Sequence, residues 1–229
     1  MSCDILYRSY AQDFNWLGYS LKSLKKRASG FHRVHIAVPA SDFGMLPVCD
    51  GEVHLVQDPC RGYMAQQITK LYADHFCHAD YVLHVDSDCI FSSPVKPEDF
   101  FVNGKPVLLR EEGCESPWMD ISARSLGWRD DAEYMRRMPI IYPRWIYSEF
   151  RDWMKERNGM PIEQWIDQQP NSEFSEFNTL GQWAYKFHRD AFEWLHPSEM
   201  KSFCKQHWSW GGLTDEIRQE IEQCLALDD

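Results

Sequence analysis

The sequence has no apolar run near the ~18 residues that a membrane-spanning helix needs. Its opening segment, MSCDILYRSY, lacks the basic, apolar and small-residue sections of a secretory leader. A soluble, cytoplasmic protein without an integral membrane segment is the expectation. Basic charge is also short. Lys and Arg number 24 against 35 Asp and Glu, a net charge of -11, which excludes a nonspecific coat for nucleic acid or anionic lipid. Part of that acidity is concentrated after Leu213, where Asp215, Glu216, Glu220, Glu222, Asp228 and Asp229 face only Arg218, so a local basic surface stays open. No CxxC pair exists among the eight cysteines (Cys3, Cys49, Cys60, Cys77, Cys89, Cys114, Cys204 and Cys224). Their scatter favours free thiols in a reducing compartment over a disulfide framework. Repeats, low-complexity tracts and linkers are absent, and 229 residues suit one domain.

What is there is an alternation of strand-like and helix-like segments, the pattern of a mostly parallel sheet with helices on its faces. DILYRSY, VHIAVPA and VHLVQ read as strands. Leu17, Leu21, Leu24 and Ala28 mark a helix after the first of them. GYMAQQITKLYADHF reads as an amphipathic helix with Met64, Ile68, Leu71 and His75 on one face, and YVLHV as a central strand buried on both sides. KPVLLREE is a further strand. Beyond about residue 115 helices dominate. PRWIYSEFRDWMKERNG places Pro143 in a first turn and Gly159 at a C-cap, and SEFSEFNTLGQWAYKFHRDAFEWL is a helix with a strand after it. The expected class is α/β, with a Rossmann-like sheet in residues 1–112 and a helical elaboration in 113–229 of a single domain.

The chemistry centres on YVLHVDSDCIF, residues 81–91. In an extended chain, positions two apart point the same way, so Asp86 and Asp88 would emerge together at the carboxyl end of a buried strand, where α/β sheets bind ligands. Two hard oxygen donors suit Mg²⁺ or Mn²⁺, which complete their shells with water and phosphate oxygens. A strand-ending turn capped by Asp is the plainer reading of the same residues. It does not explain why a fully buried strand leads straight into two carboxylates.

Residues 66–94, QQITKLYADHFCHADYVLHVDSDCIFSSP, resemble the core of nucleotide-sugar-dependent glycosyltransferases of the GT-A fold, especially the glycogenin-like group and related bacterial and phage enzymes. The likeness is carried by Lys70-Leu71 on a helix, the strand Tyr81 to Val85, Asp86, Asp88 and Pro94. It implies a GT-A fold and a metal held by Asp88, with Asp86 on the metal or the ribose. Lys70 would meet the sugar or diphosphate, with Gln66 one turn earlier beside it. The group's third metal ligand is a His near the C-terminus followed by Gly and Trp, for which KQHWSWGGL offers His207 and WLHPSE offers His196. Arg8, Tyr10 and Asp13 would lie near the nucleotide base, although Asp13 also suits a helix N-cap. Glu173, Glu176 and Asn178 open a helix, and Glu176 is the candidate to contact or deprotonate the acceptor hydroxyl. The implied reaction transfers a sugar from a nucleotide-diphosphate sugar to a hydroxyl of a glycan, or of a hydroxymethylpyrimidine in phage DNA, with inverting and retaining outcomes both open.

Three other readings compete. A haloacid-dehalogenase-like phosphatase also ends a strand in DxD, but on its first strand, whereas three strand candidates precede this one. An inactive sugar-nucleotide-binding module would share every feature of the pocket. A sugar-activating nucleotidyltransferase would want a Gly-rich phosphate loop after the first strand, and YAQDFNWLG has none. The close histidine sets, His32-x-x-His35 and His75-x-x-His78, read as structural. The Arg- and aromatic-rich stretch from Arg124 to Arg157 reads chiefly as a packing stripe. The basic cluster Lys22, Lys25, Lys26 and Arg27 suits a helix C-terminus.

Overall fold

In the computed structural model, which describes residues 1–58, 62–135 and 137–226, Cys3–Arg8 is buried throughout and forms strand β1. Helix α1 (Phe14–Arg27) follows, turning Trp16, Leu17, Ser20 and Leu24 inward at helical spacing. Strand β2 (Val34–Pro39) lies parallel to β1, with Ile5 opposite Val34 and Arg8 opposite Ala37. Strand β3 (Glu52–Val56) extends the sheet beyond β2. Helix α2 (Gly62–Leu71) then carries the chain back, and β4 (Tyr81–Val85) inserts on the other side of β1. Next come β5 (Cys89–Phe91), a hairpin of β6 (Phe101–Val102) and β7 (Lys105–Leu109), β8 (Glu111–Glu112), α3 (Pro117–Leu126), β9 (Ala132–Glu133) and β10 (Ile140–Pro143). The chain continues through α4 (Trp145–Asn158), α5 (Ile162–Asp167), α6 (Glu176–Phe187), β11 (Glu193–Leu195), β12 (Cys204–Gln206) and α7 (Asp215–Ala226).

The main sheet has the order β10-β4-β1-β2-β3, parallel except for β10. The protein is therefore α/β, with a mixed, mostly parallel sheet flanked by helices. Alternation along β1 separates the two faces. Tyr7 bonds Ser20 of α1 at 3.0 Å, whereas Arg8 bonds Thr69 of α2 at 3.4 Å. The single polar residue of YVLHV, His84, belongs to the second face, where its Nε2 meets the Tyr147 hydroxyl of α4 at 2.6 Å and its ring packs on Phe177 of α6. Leu6, Ile36, Val38, Val82, Leu83 and Val85 are buried between these layers, each worth about 1.5–3 kcal/mol relative to exposure.

Several local expectations change. Pro143 ends β10, an edge strand that needs no N–H there, and α4 begins only at Trp145; Gly159 caps it at φ 70°. Helix α2 stops at Leu71, and His75 belongs to a separate 3₁₀ turn rather than to the helix's apolar face. Arg151 fixes that break by donating to the Leu71 carbonyl at 2.7 Å and clamping Asp74 with both terminal nitrogens. The basic end of α1 serves a partner: Arg27 donates to the Cys224 carbonyl at 2.7 Å and Lys26 to that of Leu225, satisfying the last turn of α7. The acidic tail is paired more widely than its composition suggests, Glu222 with Tyr19 and Glu220 with Lys205. Seven cysteines are free thiols; Cys60, Asp228 and Asp229 lie outside the described residues. Among the described residues, no helix is long and apolar enough to cross a membrane.

Helix α6 comes unusually close to the residue after β9. A Cβ at Gly181 would stand 2.5 Å from Tyr134 Cβ. Gly181→Ala should therefore destabilise by about 1–3 kcal/mol through overpacking, despite the ~1 kcal/mol that alanine gains in a helix. Chemical denaturation would check it; a stabilised variant would mean that Tyr134 yields freely.

Candidate active site

The order of the sheet reverses at β1: β2 and β3 lie on one side, β4 on the other. Such a switch opens a crevice beyond the carboxyl ends of the two strands. β1 delivers Arg8 and Ser9 to this crevice, and β4 delivers Asp86 to Asp88. The last three are not extended. The Cys89 N–H donates to the Asp86 carbonyl at 3.0 Å, closing a turn that sends the chain into β5, which must run antiparallel to β12. The Ser87 hydroxyl ties the turn to Ser9 at 2.9 Å. A turn, and not the pleat of a strand, thus presents the two carboxylates.

Lys70 reaches this turn from α2. Its Nζ lies 2.8 Å from Asp86 Oδ1 and 3.0 Å from Glu176 Oε1, with only 5% of the residue exposed. Burial works against the ammonium, but Asp86 and Glu176 outweigh it and hold its pKa above the ordinary lysine value. The Phe177 ring closes the pocket 5.1 Å away. Glu176 is buried and does not act as a cap; its backbone N–H is taken by Gln67 Oε1 at 2.9 Å. Gln67, rather than the expected Gln66, is the glutamine that reaches this cluster, and it does so through the Glu176 backbone. Among the described residues Gln66 bonds none of these groups, because α6 meets α2 on the Gln67 side. Tyr63 is a further member that sequence reasoning missed. Burial, then Glu176, pushes its hydroxyl pKa up, and its place seven residues before Lys70 on one helix face was the available signal. Glu173 stands outside, paired with Arg124 at the surface, and Asn178 holds the Tyr134 backbone N–H.

Asp88 is 7% exposed and points towards the C-terminal segment. Its Oδ2 accepts from the Ser209 N–H at 2.8 Å, and its carbonyl accepts from the His207 N–H at 3.0 Å. Burial, then Asp86, raises its pKa. Asp13 joins the same corner, accepting from the Ser209 hydroxyl at 3.4 Å, and makes no side-chain cap to α1. It sits among the acids, where the family likeness implied a place by the nucleotide base. Arg8 is buried and already neutralised by Asp58 at 2.8 Å, while Tyr10 is exposed at the rim. Among the described residues, neither candidate histidine joins these carboxylates in a set of three ligand atoms within 4.8 Å of one another. The His207 imidazole packs on Trp16, 5.8 Å between ring centres, with Glu220 and Lys205 as its charged neighbours, and burial lowers its pKa. His196 is exposed and caps its own 3₁₀ turn through Ser198. Side chains whose ligand atoms converge in threes, among the described residues, lie at the other end of the sheet.

Lys70 thus pairs with Asp86 and Glu176, and Asp88 and Asp13 stand beside Asp86 in the same corner. That corner is acidic, partly desolvated and under-neutralised, and its donors are hard carboxylate oxygens. Donors of that kind could hold a divalent cation of the Mg²⁺ or Mn²⁺ kind, with Asp86 and Asp88 as the residues that would ligate it, and they would repel an unaccompanied phosphate group. A cavity of about 750 Å³ lies apart, between α1 and residues 47–50, and none of these carboxylates lines it.

The model of a family of unknown function, DUF6492, matches residues 37–220. The chain belongs to that family. No curated protein matches it. The DUF6492 match takes in Lys70, the 86–88 turn, Glu176 and the 207–210 segment, and begins after β1 and Asp13. In this DUF6492 protein Asp13 is the group most disturbed within a usable pH range. Burial, then Asp88 and Asp86, pushes its pKa up to about 6. The folded chain therefore holds that proton to higher pH than the unfolded chain, and the resulting stability is lost as pH rises from about 4 to 6. Asp13→Asn should stabilise by about 1–3 kcal/mol at pH 7.5, the lower figure allowing for solvent screening, and by progressively less towards pH 4.5. Thermal melts at the two pH values decide it; an equal gain at both would remove ionisation as the cause.

Proposed function

We propose that this protein is a metal-dependent glycosyltransferase of the GT-A kind, transferring a sugar from a nucleotide-diphosphate sugar to a hydroxyl acceptor. The observation that carries the reading is the junction of Lys70 with Asp86, beside Asp88, at the carboxyl ends of β1 and β4. Transfer breaks the bond between the anomeric carbon and the diphosphate oxygen and leaves the electron pair on the diphosphate. The acceptor oxygen forms the new bond, and its proton passes to the departing diphosphate or to solvent. A buried ammonium at that point opposes the charge that develops on the leaving group, in a site where water screens little. A divalent cation held by Asp86 and Asp88 would supply further neutralisation of the diphosphate. Glu176 has Oε1 committed to Lys70, so its first role is to position that ammonium, with Gln67 holding the Glu176 backbone. Arg8 is spent on Asp58, which leaves the exposed Tyr10 ring as the natural contact for a nucleotide base.

For the acceptor, two tryptophans flank Ser209. Trp208 is 63% exposed and Trp210 86%, and Trp208 stands at φ 34°, a strained conformation for a bulky residue. Large exposed rings beside a desolvated acidic corner suit stacking against a sugar face. The net charge of -11 favours a neutral glycan over DNA as the acceptor that supplies it. Free thiols fit work in a reducing compartment. Trp210→Ala should raise the KM for a glycan acceptor about tenfold with little change in melting temperature. A compensating effect on donor KM alone would move this ring to the nucleotide side.

The decisive experiment is a melt screen of nucleotide sugars with and without Mn²⁺. One donor at about 100 times its Kd should stabilise the protein by about 2.7 kcal/mol, and only with metal. No stabilisation by any donor, together with Asp86-dependent phosphate release from simple esters, would replace the transferase by a phosphatase. A metal-dependent shift without turnover on any hydroxyl acceptor would leave a sugar-nucleotide-binding module.

A further inference from the structure

At the amino-terminal ends of β1, β2 and β3, opposite the acidic corner, a second set of ligand side chains meets. His35 stands opposite Glu52 and Ala37 opposite His54 in the parallel register, so His35, Glu52 and His54 share one face of the sheet. His35 Nδ1 lies 2.9 Å from His54 Nε2 and 3.8 Å from Glu52 Oε2, and the three ligand atoms all fall within 4.8 Å of one another. His35 is fully buried. Its other nitrogen, Nε2, makes no hydrogen bond and faces Asp4 Oδ2 at 3.4 Å. Asp4 is itself held by the backbone N–H groups of His78 and Ala79, both at 2.9 Å, and by His32 Nδ1 at 2.8 Å.

We propose that His35, His54 and Glu52 form a binding site for a zinc-class divalent cation. Two imidazoles and one carboxylate are the donor set of open zinc and related transition-metal sites, and differ in kind from the all-oxygen donors of the 86–88 turn. A ligating histidine usually turns its second nitrogen to a carboxylate that fixes ring orientation, which is the relation of Asp4 to His35. Ligand bonds of about 2.0–2.2 Å would spread the two imidazole nitrogens by a few tenths of an ångström, a movement open to His54 and Glu52 on an edge strand. The Glu52 side chain is 46% exposed, which gives the ion an entry path and leaves its remaining positions to water. Cys77 also lies within reach of Asp4 and His35, but that trio is entirely buried and offers no such path. The bound ion would clasp the edge strand β3 to β2. This site stands independently of the glycosyltransferase reading.

The test uses untagged, chelator-stripped full-length protein titrated with Zn²⁺ against a chromophoric chelator. One equivalent should bind at micromolar affinity or tighter and raise the melting temperature. Co²⁺ in its place should give visible ligand-field bands. The double variant Asp86→Asn/Asp88→Asn should keep this binding. His54→Ala/Glu52→Gln should weaken it at least ~100-fold and abolish the bands, and Asp4→Asn should weaken it ~10-fold. Glu52→Gln alone, at an exposed side chain, decides the matter if the double variant misfolds, with at least ~10-fold weaker binding expected. Absence of stoichiometric binding, binding unchanged in the His54 and Glu52 variants, or binding lost with Asp86 and Asp88 would each overturn the site.

Discussion

Lys70→Met is expected to lower stability by about 3–5 kcal/mol and turnover at least ~100-fold. The substitution keeps much of the side-chain volume but strips the only ammonium from between Asp86 and Glu176, which stand 2.8 and 3.0 Å from it. Glu176 is 3% exposed, so its carboxylate would be left without its partner in a place water barely reaches. Lys70 has a raised pKa, so its share of the stability is complete at any pH below the ordinary lysine value of about 10.4 and would be lost only above it. A fall that is steady from pH 6 to 9 is therefore expected. The double variant Lys70→Met/Glu176→Gln separates the two roles. It should recover much of the stability, because both members of the buried pair are then neutral, while turnover stays low. Recovery of both would make Lys70 purely structural; recovery of neither would mean that packing against Phe177 dominates.

Asp88→Asn should act in the opposite sense on stability and more severely on chemistry. Asp88 is buried beside Asp86, and its pKa is raised by burial first and by Asp86 second, so ionisation costs the fold stability as pH rises past the ordinary carboxylate range. Asparagine keeps an oxygen for the Ser209 N–H, now at 2.8 Å, and removes that cost. The melting temperature at neutral pH should hold or rise, while metal-dependent donor binding disappears and transfer falls by ~10³-fold or more. Calorimetric titration of donor with Mn²⁺, alongside a melt, reads both. Full transfer by the variant, or by the native protein under excess chelator, would sink the metal-dependent reading.

Much of the site's neighbourhood was readable from residue types in order. An apolar YVLHV, broken only by His84, running into two aspartates placed carboxylates at a strand end. It was the resemblance to GT-A transferases, not the helix's apolar stripe, that implied a place for Lys70 beside them. The register of that meeting was not readable. Gln66 and Gln67 are equivalent by composition and nearly so by helical spacing, and only the approach of α6 selects Gln67. His207 is next to Asp88 through its backbone, yet its ring is drawn to Trp16 in the small cluster that Ile90 and Ile221 complete. Asn103-Gly104, whose two positive φ angles form the β6–β7 hairpin tip, carried a turn signal strong enough to find that hairpin in advance.

By itself the sequence determined what depends on near neighbours and on periodicity: the identity of β1, α1, β2, α2 and β4, the cap at Gly159, and the parallel class of the sheet. These follow from burying one face of a helix or both faces of a strand, which needs only the pattern of apolar residues. Tertiary structure alone decided the rest. Lys70 and Glu176 are 106 positions apart, and His35 and His54 come from two strands that touch only because the sheet sets their register. The turn at 86–88 likewise exists because β5 must meet β12 from the far end of the chain. Such contacts depend on how separate elements pack, and no local pattern of residues encodes that distance.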